Sequence, residues 1–117
     1  RVHVVLDEAA VQRRVGGDAV WLRQLNHLLE LAELRNVTLQ VLPFSVGAFA
    51  EALGAFTLLD FTEGDPIAYA ELTTGDLYAE GADAQRFILQ FDALKTAALP
   101  PPLSVRMIQG VRAAAVT

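Results

Sequence analysis

The chain has 117 residues, 53% hydrophobic and 20% charged, which suits one folded domain and excludes a disordered segment. Its formal net charge of −5 and scattered basic residues argue against direct contact between this segment and nucleic acid, which requires a basic face along the phosphates. With no cysteine, the sequence excludes disulfides, thiolate metal sites and a cysteine nucleophile.

No apolar run approaches the ~20 residues of a membrane-spanning helix, and no basic-then-apolar leader opens the chain. The expected location is cytoplasmic, in a reducing compartment and away from membranes. The first residue is Arg1, not methionine, and an apolar run follows at once, which reads as a segment of a longer protein with a further part upstream.

In chain order, the β-branched run from Val2 to Leu6 predicts a buried strand, ended by Asp7 and Glu8. Gly16 and Gly17 mark a turn, and Asp18 is the expected N-cap of a helix that Asn36 stops. Within it Trp21, Leu25, Leu28, Leu29 and Ala32 recur at helical spacing, with Arg23, Asn26, His27, Glu30 and Glu33 on the other side. Val37 to Leu42 alternates as a strand and Pro43 closes it. Residues 44–55 form a long loop, a common place for binding. Phe56 to Phe61 and Ile67 to Leu72 are two strands spaced for antiparallel pairing around Gly64, Asp65 and Pro66. Thr74 to Asp76 is a turn, and Leu77 to Ala79 adds a fifth strand. A helix from Asp83 to Leu99 ends at Pro100, Pro101 and Pro102, and Ser104 is the expected cap of a last helix weakened by Gly110. The order predicts an α+β fold: a mixed or antiparallel sheet of four to five strands, one helix after the first strand, two C-terminal helices and a single core in one domain.

Catalytic constellations are scarce. Lys95 is the only lysine and falls inside a predicted helix, so no phosphate loop forms. His3 and His27 lack the spacing for a zinc pair, and neither Ser45 nor Ser104 sits in a nucleophile elbow. No catalytic residue, cofactor or metal site is therefore assigned. Asp7, Glu8, Asp60, Glu71 and Asp76 lie in or after predicted strands and read as turn or solvent-facing charges. Glu71 stands apart, because strand alternation places it on the face of Ile67 and Tyr69. Most of the aromatic residues suit a core. The sharper reading has Phe44, Phe49, Tyr69 and Tyr78 lining a pocket under the long loop, with Gln40 and Glu71 as polar handles.

Val5 to Ala10 with Val15 to Gly17, Gln24-Leu25, Leu28 to Glu33, and Asn36 to Phe44 together carry a resemblance. So do Gly54 to Phe61, Tyr69 to Glu71, Thr74 to Tyr78, Phe91 to Leu94 and Ala97 to Leu99. In order over nearly the whole chain, these runs resemble the C-terminal domain, long of unknown function, of actinobacterial XRE-type helix-turn-helix regulators. The resemblance implies a DNA-binding domain upstream and an antitoxin-like regulatory module here, binding a small molecule or a small partner protein. Phe49 departs from the family pattern, where a histidine often follows the run from Phe44 to Ala48. A weaker similarity, to one half of a phospholipase D-like domain, lacks the His-x-Lys triplet of those enzymes, and fold alone carries no activity. The leading expectation is thus a regulatory module of a transcription factor, not an enzyme. The alternative is an oligomerisation or docking platform, a homodimer through the C-terminal helices. An acid- or metal-dependent hydrolase needs Asp7, Asp60 and Glu71 to converge.

Overall fold

The computed structural model describes residues 1–47 and 54–115. Among these the order is β1 (Val2–Asp7), α1 (Glu8–Gln12), α2 (Asp18–Ala32), β2 (Val37–Leu42), a single 3-10 turn (Phe44–Val46), β3 (Thr57–Leu59), β4 (Ile67–Leu72), β5 (Gly75–Glu80), α3 (Gly81–Ala97) and α4 (Pro101–Ala115). The α+β class and the two C-terminal helices are as expected. The strands divide between a parallel pair, β1–β2, and an antiparallel sheet in the order β3-β4-β5. The chain falls into two compact units, Arg1–Gly47 with Ala97–Thr117, and Ala48–Thr96. Among the described residues, buried side chains form one cluster in each unit.

In the first unit, β1 and β2 run in parallel from Val2↔Val37 to Asp7↔Leu42. Helix α1 is absent from the sequence reading, because five residues are too few to show a period. Its start is fixed by Asp7, whose carboxylate accepts the Ala9 N–H at 2.8 Å. Gly16 and Gly17 turn the chain with φ of 83° and 85°, conformations glycine adopts without strain. Gly17 is the N-cap of α2, not Asp18. The Asp18 carboxylate is held by Arg14 at 3.2 Å and places its charge in the first turn. The helix ends at Ala32, earlier than Asn36, by tightening into i→i+3 bonds from Glu33 to Glu30 and from Leu34 to Leu31. Asn36 contributes its carbonyl to the Val2 N–H at 2.7 Å.

Trp21, Leu25, Val11, Leu39, Val41 and Ile108 form the buried cluster of this unit. Trp21 satisfies its indole N–H on the Val11 carbonyl at 2.8 Å. Helix α4 begins at Pro101, since proline suits a first turn whose N–H groups have no helical acceptor. Ser104 is therefore inside the helix and not its cap. It is fully buried and joins α4 to β2, accepting the Val41 N–H at 2.8 Å and donating to the Leu99 carbonyl at 3.0 Å. Leu99 N–H in turn donates to the Val41 carbonyl at 2.9 Å. The side of β2 facing away from β1 is thus closed at Val41 by the segment entering α4.

In the second unit, β3 and β4 pair from Thr57↔Tyr69 to Leu59↔Ile67, and β4 and β5 from Ile67↔Glu80 to Leu72↔Gly75. The expected hairpins are present, with β3 shorter and β5 longer than their sequence patterns suggest. Alternation gives the sheet two faces. One carries Leu58, Ala68 and Ala79, against which Ala84 and Phe87 of α3 pack. The small alanines let the helix approach, and Phe56 meets Phe87 edge-on at 5.3 Å. The other face carries Thr57, Leu59, Tyr69, Glu71, Asp76, Tyr78 and Glu80.

Candidate functional site

Three of the six residues expected at a site come together on that second face. Tyr69 and Tyr78 are directly paired across β4 and β5, their ring centroids 5.0 Å apart and inclined at 51°. The Tyr69 hydroxyl donates to Glu71 Oε1 at 2.9 Å. Glu71 faces Asp76 across the hairpin, so two carboxylates stand beside the tyrosine pair. The hydrogen bond to Glu71 chiefly, then partial burial and the charge of Asp76, push the Tyr69 phenol up to about 12. Tyr69 is therefore a neutral hydrogen-bond donor, and Tyr78, 66% exposed, presents an open ring.

Of the other three, two belong to the first unit and one is not among the described residues. Gln40 belongs to the first unit and is 6% exposed. Its amide donates to the Leu99 carbonyl at 3.1 Å, and its Oε1 lies 2.6 Å from His3 Nε2, a geometry that puts the proton on that nitrogen. Phe44, also of the first unit, is exposed, and its backbone N–H donates to Glu8 Oε1 at 2.9 Å. Phe49 lies outside the described residues.

The remaining acids have structural partners or face solvent. Asp7 caps α1, Glu8 binds both Phe44 N–H and the Gln12 amide, and Asp60 is exposed after β3. Among the described residues no three His, Asp or Glu side chains gather to hold a metal ion. The first unit has a cavity of about 430 Å³ bordered by Gln12, Arg14, Trp21, Met107 and Val111, with the Arg14 guanidinium 4.6 Å above the Trp21 ring. Sequence reasoning missed Asp76 and Glu80 as members of the sheet face. The available signal was charge: no lysine, arginine or histidine occurs between Arg35 and Arg86, while Asp60, Glu63, Asp65, Glu71, Asp76 and Glu80 all do.

The fold and this site define an α+β domain with an open sheet face that is both aromatic and acidic. Residues 1–110 match the family model described as Domain of unknown function (DUF5753), and the chain belongs to that family. No curated protein and no solved structure matches the chain.

Proposed function

We propose that this domain is the regulatory module of a helix-turn-helix transcriptional regulator, binding a small molecule or a partner protein and relaying the event to a DNA-binding domain. The observation that carries the reading is the Tyr69–Glu71–Tyr78 cluster, in which aromatic surface and a fixed polar group stand open on a sheet face. Binding surfaces favour that combination, because an aromatic ring brings large contact area and few rotamers. The sequence resemblance to the C-terminal domains of XRE-type regulators supports the regulatory context. The net charge of −5 suits a part that leaves DNA contact to another domain.

Native mass spectrometry of the chain purified from a host cell tests the reading. The expected result is an added mass, of a small molecule or a small protein, that is lost on denaturation. A bare monomer at every protein concentration would sink it. The docking-platform alternative draws on Leu89 of α3 and Leu103 of α4, which are 59% and 43% exposed. A bare dimer would place that alternative first.

A further inference from the structure

We infer that the outer edge of β5 is a strand-addition site for an extended segment of a partner protein that alternates cationic and apolar residues. This rests on the partner-binding form of the function proposed above and names the partner's chemistry. In the order β3-β4-β5, strand β5 is terminal, and among the described residues only β4 pairs with it. Gly75, Asp76, Leu77, Tyr78 and Glu80 are all exposed. A terminal strand of this kind presents a row of N–H and C=O groups that an incoming strand can pair with.

The side chains of β5 define what pairs with it. Asp76, Tyr78 and Glu80 project from one face, and Leu77, 42% exposed, from the other. A strand laid along the edge places its alternate residues beside these same side chains, at cross-strand distance. Two carboxylates flanking an open tyrosine ring suit lysine or arginine, which forms an ion pair at either end and lies over the ring at the centre. Leu77 suits an apolar residue at the intervening positions.

Charge also decides against a second copy of this chain. Antiparallel pairing of two β5 edges about Tyr78 sets Asp76 against Glu80 twice, and like charges directly opposite each other are unfavourable. No basic residue anywhere from β2 to β5 relieves that repulsion. The acids that prevent self-pairing are the ones that select a cationic strand.

The test uses the whole chain and a fluorescent octapeptide alternating arginine and valine, followed by polarisation at about 0.1 M salt, where surface charges still act. Binding is expected, with D76N/E80Q weakening it about tenfold and Tyr78→Ala a few-fold. The same peptide carrying N-methylated amides is expected not to bind, since it cannot complete the ladder. Circular dichroism checks that each variant keeps its fold. No binding of the arginine–valine peptide, equal binding of a glutamate–valine peptide, or full binding of the N-methylated one would each overturn the inference. Because native mass spectrometry reports any bound species, an added small-molecule mass alongside a failed peptide removes the strand-addition site and leaves the regulatory reading standing.

Discussion

The two sheets treat their outer strand edges in opposite ways. On β2, the backbone of Val41 that faces away from β1 is closed by Ser104 and Leu99, and Val41 itself is fully buried. On β5, among the described residues, nothing pairs with the outer edge, and Asp76, Leu77, Tyr78 and Glu80 stand in solvent. The cores differ in the same sense. Trp21, Leu25, Leu39 and Ile108 fill the first cluster, whereas three alanines and Phe87 make the second. Closure and large apolar side chains go with a scaffold. An open edge over a core of small residues leaves backbone groups free to pair with an incoming strand, as the proposed site requires.

The contrast can be broken most directly at Ile108, fully buried behind the closed edge. Ile108→Ala is expected to cost about 2–5 kcal/mol in urea unfolding, because truncation leaves a cavity in a packed cluster. Ser104→Ala comes next, at about 1–3 kcal/mol, since it strands a buried N–H. Hydrogen exchange should show lost protection at the Val41 amide, and unchanged protection there would mean the edge is closed by other means. On the open side, absorbance titration should find Tyr69 ionising near 12, against an ordinary value of about 10. Glu71→Gln should bring it back down. A phenol raised in the folded state adds stability that is complete below pH about 10 and disappears as pH climbs through 12. Tyr78→Ala should be the mildest change, within about 0.5 kcal/mol of the parent, as expected of an exposed side chain. A larger loss would place Tyr78 in the scaffold.

Much of this was legible in the sequence, for reasons that can be named. The strand Val37–Leu42 and the hairpin strand Ile67–Leu72 follow from alternation and turn residues alone. The face shared by Tyr69, Glu71 and Ile67 follows from the period of a strand. Ser104 was misread because a serine after prolines has the pattern of a helix cap. Its true acceptor role depends on Val41, far away in the chain, and no local pattern encodes that partner. The cluster of Ala68, Ala79, Ala84 and Phe87 leaves little trace in the sequence, because alanines pack a helix against a sheet without producing a strong apolar signal. The proximity of Tyr69, Glu71 and Tyr78 follows from strand alternation and the hairpin turn. The partners of Gln40, His3 and Leu99, do not, since no local pattern encodes them.

The first unit is assembled from two stretches of sequence, residues 1–47 and 97–117, and the residues of the second unit come between them in chain order. A ribosome delivers residues from the N-terminus, so Val11, Trp21 and Leu25 emerge long before Ile108 and Ser104 reach them. The hairpin sheet and α3 are contiguous and can settle while the rest is still being made. The closed half of the molecule is therefore the half whose buried cluster is completed last.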